Sequence, residues 1–273
     1  MTLKDAIAAA AAGLLAAALA SSAVAQVGPT PDSVIPNGLK AGTGAPFPKG
    51  HYKSLDKLPD WGGVWQFTFP RTAAGAPRPV IDPVPLKGKY KAEYEAWRAE
   101  VKANNGVVKT TATSYCSPPG MPRIMGLPQY PYEFLFTPGR VTINQEAWMQ
   151  TRHIWTDGRP HAEDPEPGYF GDSVGHWEGD TLVADTIGIK DTVPLGAGMS
   201  HSDKLHFVER IHLKKGDPDT LIDEITVDDS EALEHPFTTV STFHRDRYGQ
   251  LLEFECSEND RNPVDANGNT EFH

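Results

Sequence analysis

An imidazole and a carboxylate, His176 and Asp185, lie in residues 171–189, which read Gly-Asp-Ser-Val-Gly-His-Trp-Glu-Gly-Asp-Thr-Leu-Val-Ala-Asp-Thr-Ile-Gly-Ile. A carboxylate that orients a histidine ring is the usual apparatus of general acid–base catalysis. Glu178-Gly179-Asp180 marks a tight turn, because glycine reaches positive φ without steric cost. Alternation on each side predicts a strand. With a two-residue loop, Val174 and His176 share a face with Val183, Asp185 and Ile187. The aliphatic company predicts that this face is the buried one. A three-residue loop would invert the relation.

A second hairpin is expected from residues 205–213 and 220–227. One face reads Leu205, Phe207, Glu209, Ile211, Leu213, and its partner reads Leu221, Asp223, Ile225, Val227. Pairing Leu213 with Leu221 sets Arg210 opposite Glu224 as an outer ion pair, which supports the register. The same register points Glu209 and Asp223 inward. A buried carboxylate is costly unless paired, protonated or metal-bound, and a raised pKa in a cavity suits a general acid. The candidate catalytic set is therefore His176, Asp185, Glu209 and Asp223. A structural salt bridge, for example of Glu209 or Asp223 with Arg152, which shares a face with Ile154, is the competing explanation of the buried carboxylates.

His201-Ser-Asp203-Lys-Leu-His206 is the densest histidine cluster, and His161 and Asp164 lie in an acidic loop. His201, Asp203, His206 and His161 are candidate ligand-binding residues at the mouth of the site. If several converge they could hold a divalent metal; otherwise they are solvated loop side chains. Their spacing fits no ligand signature, and no phosphate-binding loop, dinucleotide fingerprint, zinc-protease helix or serine elbow is present. No cofactor is identified from sequence.

The elements that must position these groups are mostly strands. Residues 61–69 form the first. Residues 86–105 form a helix, with Leu86, Tyr90, Tyr94, Trp97 and Val101 at helical spacing. Further strands are expected at 132–137, 140–146, 148–156, 238–245 and 251–256, with long loops at 159–171 and 190–202. Roughly ten strands in hairpin succession predict a mainly β fold, an antiparallel up-and-down barrel with a helical insertion after the first strand. Residues 61–273 are read as that single domain.

The chain opens with a basic residue, an Ala/Leu-rich run and Ala23-Val24-Ala25, the pattern of a signal peptide over residues 1–25. The expected location is periplasmic or extracellular, with no membrane span after the signal is removed. Residues 26–60 are a Pro/Gly-rich extended arm. Two cysteines, Cys116 and Cys256, predict a disulfide in an oxidising compartment. Its long loop would give about 4–5 kcal/mol in the chain-entropy model. A net charge of -11 argues against nucleic acid. A small molecule is the expected partner, and the sequence leaves oligomeric state open.

Gly63-Val64-Trp65 resembles the G-x-W of lipocalins and their calycin relatives. That resemblance implies a barrel with an internal ligand cavity and an arginine packed on the tryptophan near the barrel's end, a part that Arg261 could take. The long helical segment after strand one departs from the family pattern, as does the lack of a long C-terminal helix. The segments Cys116-Ser-Pro-Pro-Gly-Met-Pro, Phe134-Leu-Phe-Thr-Pro-Gly-Arg, Gly175-His-Trp-Glu-Gly-Asp-Thr and His201-Ser-Asp-Lys-Leu-His-Phe also resemble a group of exported bacterial proteins, which implies a shared fold and export but no activity. Two functions compete. One is an enzyme acting on a small organic molecule or saccharide by hydrolysis, elimination or isomerisation. The other is a carrier of an apolar or aromatic ligand.

Overall fold

The computed structural model describes residues 52–68, 84–108, 116–127 and 130–255. The signal peptide, most of the arm, Cys256 and Arg261 lie outside the described residues. Among the described residues, nine strands close into a barrel. They are β1 (Val64–Phe67), β2 (Tyr132–Thr137), β3 (Arg140–Gln145), β4 (Gln150–Trp155), β5 (Asp172–Glu178), β6 (Thr181–Ile187), β7 (His206–Lys214), β8 (Asp217–Asp228) and β9 (Phe237–Asp246). Helix α1 (Gly88–Ala103) falls between β1 and β2 in the chain.

Closure is made by β1, which pairs antiparallel with both β2 and β9. This explains why residues 251–255 form no strand, against the expected tenth one: both sides of β9 are taken, by β8 and β1, so β9 offers no edge to template another strand. The expectation of a wholly antiparallel sheet also needs correction. β4 and β5 run parallel, with Ile154 opposite Ser173 and Trp155 opposite Val174. Residues 156–171 must therefore cross over rather than turn back.

The two hairpins read from sequence have the expected pairings. Glu178 pairs with Thr181, leaving the two-residue loop Gly179-Asp180, and Val174 pairs with Asp185. In the second, Leu213 pairs with Leu221 and Arg210 stands opposite Glu224, but the expected ion pair between them is replaced by one from Arg210 to Glu178 on the neighbouring hairpin. Cross-strand alternation then fills the barrel with Trp65, Tyr132, Phe207, Ile211, Leu221 and Phe243, all fully buried. Burying each such side chain stabilises by roughly 1.5–3 kcal/mol.

Trp65 anchors one end. Its Nε1 donates to the Trp61 carbonyl at 3.0 Å, and the guanidinium of Arg245 lies 4.5 Å from its ring centroid. Arg245 comes from β9 and donates to the carbonyls of Gly62, Asp60 and Pro218 at 3.0, 2.7 and 2.6 Å. The arginine packed on this tryptophan is thus Arg245.

Helix α1 buries Tyr90 and lays Trp97 against Gly198, where a Cβ would stand 2.3 Å from the indole. Ser200 Oγ donates to Glu93 at 2.7 Å. The helix thereby braces the segment that leads into β7.

Candidate functional site

Inside the barrel, Arg152 of β4 and Glu209 of β7 form a fully buried two-pronged ion pair. Arg152 Nη2 also donates to Ser173 Oγ at 3.1 Å and Thr186 Oγ1 at 3.0 Å. The cation is satisfied from three strands, which is what makes a buried pair tolerable. This is the salt bridge with Arg152 that competed with a catalytic reading of Glu209.

Asp223 is also inside and wholly buried, yet neither carboxylate oxygen has a hydrogen-bond partner. Burial pushes its pKa well above the ordinary carboxylate range, and the nearby Glu209 charge adds to this, outweighing the opposing pull of Arg152. Burial likewise pushes up the Tyr132 hydroxyl, which donates to the Ile124 carbonyl. The void lined by Met121, Ile124, Tyr132, Gln145, Arg152 and Phe170 measures about 10 Å³. That is room for roughly one water.

On the outer face of the same strands lies a second network. His161 of the crossover loop sits between two carboxylates, its Nδ1 3.1 Å from Asp172 Oδ2 and its Nε2 3.0 Å from Asp185 Oδ1. His206, at the start of β7, brings its Nε2 to the same Asp185 Oδ1 at 3.0 Å. Asp172 is buried and also accepts from the Ala162 amide at 2.9 Å. Both nitrogens of His161 face acceptors, so the ring is held between the two carboxylates. His206 uses Nε2 on Asp185 at a half-exposed position, and among the described residues its Nδ1 has no hydrogen-bond partner. Val174 and Val208 pair with Asp185 from either side. The carboxylate thus has aliphatic cross-strand neighbours.

The predicted four-residue set does not meet. Glu209 and Asp223 point inward, but His176 and Asp185 are on the outside. Their shared face was read correctly; its orientation was not. On β5 and β6 the interior takes Ser173, Leu182, Ala184 and Thr186, all buried. Of the outer aliphatics, Val183 is buried while Val174 and Ile187 are half-buried, and the crossover loop reaches this face near Gly188, where Pro165 packs. His176 is 64 % exposed and contacts Glu178 at 3.2 Å. Arg210 donates to the other Glu178 oxygen at 2.8 Å, and this bond with the His176 contact holds the Glu178 carboxyl below its usual pKa.

The candidate ligand residues are divided. His161 and His206 join Asp185. His201 is buried, with its nitrogens 2.7 Å from the Ser202 carbonyl and 3.2 Å from the Lys190 carbonyl. It secures its loop, as does Ser202, whose amide and hydroxyl both donate to Asp229 at 2.7 Å. Burial pushes the Asp229 carboxyl up, but these bonds and those from the Ala232 and Glu231 amides together hold its pKa down. Asp203 is an exposed partner of Lys204. Asp172 was missed, although alternation from Val174 and His176 places it on their face. Among the described residues, no group of three or more His, Cys, Asp or Glu side chains is arranged to hold a metal ion. No described helix is long and apolar enough to cross a membrane. The expected disulfide has one partner, Cys256, outside the described residues.

No family model matches the chain, and no curated protein matches it.

Proposed function

We propose that this protein is an exported enzyme that transforms a small organic molecule by histidine–carboxylate acid–base chemistry, with Asp185 and His206 as the working pair and His161 as their support. The observation that carries this reading is the shared oxygen: Asp185 Oδ1 lies 3.0 Å from both His161 Nε2 and His206 Nε2. Asp172 fixes His161, His161 fixes Asp185, and Asp185 orients His206 with one nitrogen left for the reacting group. Hydrolysis, elimination and isomerisation all need such a group. The acid–base reading is preferred to the carrier reading because the outer histidine–carboxylate chain is an assembled arrangement, whereas the void beside Arg152 has room for roughly one water. The barrel is read as lipocalin-like on the strength of the Trp65–Arg245 packing. The Cys116–Cys256 disulfide is part of the same proposal, and non-reducing mass spectrometry addresses it.

The test is a panel of activated esters, lactones and elimination-prone acids, assayed with wild type, His206→Gln and Asp185→Asn. A turnover that drops about 100-fold or more in both variants, with unchanged melting temperature, supports the reading. Equal turnover in all three proteins refutes it.

A further inference from the structure

Beside the closing pair β1 and β9 lies an open cleft of about 390 Å³, lined in part by Gln66, Asp219, His244, Arg247 and Tyr248. It is remote in sequence from the Asp185 network and uses none of its residues.

The floor of the cleft is committed to itself. Arg245 Nε lies 3.2 Å from Asp219 Oδ1 and its Nη1 lies 3.1 Å from Asp60 Oδ2. Arg247 spans the same two carboxylates at 3.3 and 3.1 Å. Two guanidinium groups therefore meet two carboxylates, and neither cation is left over for an anionic ligand. Asp246 is occupied as well, with Oδ1 accepting from the Tyr248 and Gly249 amides at 2.9 Å. Stacked on Trp65, this network makes a rigid base.

The rim is the opposite. Gln66 and His244 are direct cross-strand partners on β1 and β9, and both face outward. Among the described residues, neither side chain has a hydrogen-bond partner, nor has the Tyr248 hydroxyl. Tyr248 is 99 % exposed, on a turn fixed by Asp246. An amide and an imidazole carried on Cβ atoms about 5 Å apart offer donors and acceptors to neighbouring sugar hydroxyls. A bare tyrosine ring offers an apolar face with a polar tip.

We propose that this cleft binds a neutral mono- or disaccharide, with Tyr248 against the sugar's C–H face and Gln66 and His244 on its hydroxyls. The volume lies in the range of small-molecule sites, about 300–1,000 Å³. The internally paired charges favour a neutral ligand over an ionic one.

The experiment is an NMR titration of the ¹⁵N-labelled protein with glucose and with cellobiose. Saturable shifts are expected at the amides of residues 244–249 for at least one sugar, with a Kd of about 1 mM. Tyr248→Ala and Gln66→Ala should each weaken binding about tenfold or more while the remaining spectrum and the melting temperature stay in place. The absence of saturable shifts with both sugars overturns the proposal. So do shifts that persist unchanged in Tyr248→Ala, or inorganic phosphate saturating the same amides.

Discussion

Ser173 and Thr186 face each other across β5 and β6 with their hydroxyls 2.9 Å apart, and Arg152 donates to both from inside the barrel. Their chain neighbours Asp172 and Asp185 hold His161 on the outside. The inner ion-pair network and the outer acid–base network are thus two sides of the same strands. What fixes the register inside also fixes the spacing of the two carboxylates outside.

The first prediction concerns that inner network. Arg152→Met leaves Glu209 buried and unpaired, and should cost about 3–5 kcal/mol. Removing both charges in Arg152→Met/Glu209→Leu should recover most of the loss. Chemical denaturation of the two variants measures it. A double variant no more stable than the single one would contradict this account of Glu209.

Asp223 gives a pH dependence. Its folded-state pKa is raised by burial and by Glu209, so the folded protein keeps the Asp223 proton to a higher pH than the unfolded chain does. The contribution is fully favourable below the unfolded carboxylate value and is lost as pH rises through the folded value. Asp223→Asn should therefore be more stable than wild type at pH 7, by about 1 kcal/mol or more. The advantage should shrink as the pH falls toward 4. Melting curves across that range decide it, and a gap that widens on acidification would reverse the sign assigned here.

Gly171 is the hinge between the crossover loop and β5. Its φ is +63°, and an added Cβ would stand 2.2 Å from the Ile187 carbonyl. Gly171→Ala should cost about 2 kcal/mol or more. It should also loosen the contact of His161 with Asp172, seen as faster proteolytic nicking within residues 156–171. Nicking at the wild-type rate would show that the loop is held elsewhere.

Arg245 serves three backbone carbonyls and the Trp65 ring. Arg245→Lys keeps the charge but lacks the planar fork. A loss of about 2 kcal/mol is expected in a denaturation experiment. A neutral outcome would mean that the barrel end is organised by Trp65 alone.

The sequence disclosed pairings better than orientations. Leu213 opposite Leu221 and Val174 opposite Asp185 follow from turn chemistry and period-two alternation, which are local. Glu209 and Asp223 were read as inward because their strand neighbours Phe207, Ile211 and Leu221 are large and apolar on one face only. On β5 and β6 the contrast disappears. Ser173 and Thr186 occupy the interior because Arg152 needs acceptors there, while Val174 and Val183 face outward. Which side is inside then depends on a partner 21 residues away in sequence, and alternation carries no information about that. Asp172 and His161 meet only because a long loop folds back, which no spacing rule anticipates. The absence of residues 251–255 from the sheet was equally invisible, since it depends on β1 occupying the outer edge of β9.

One consequence of the β4–β5 pairing is arithmetical. Nine strands that alternate in direction around a ring cannot all be antiparallel to their neighbours, because the first and last would point the same way. Since β1 and β9 are antiparallel, an odd ring must place its one mismatch elsewhere, and it falls at β4–β5. A parallel step cannot be made by a tight turn, so the chain must traverse the length of the barrel on the outside. Residues 156–171 are that traverse, and they deliver His161 to Asp185. An even-numbered relative built wholly from hairpins would have no mismatch and no need of that segment, and with it would go the arm that completes the outer histidine–carboxylate chain.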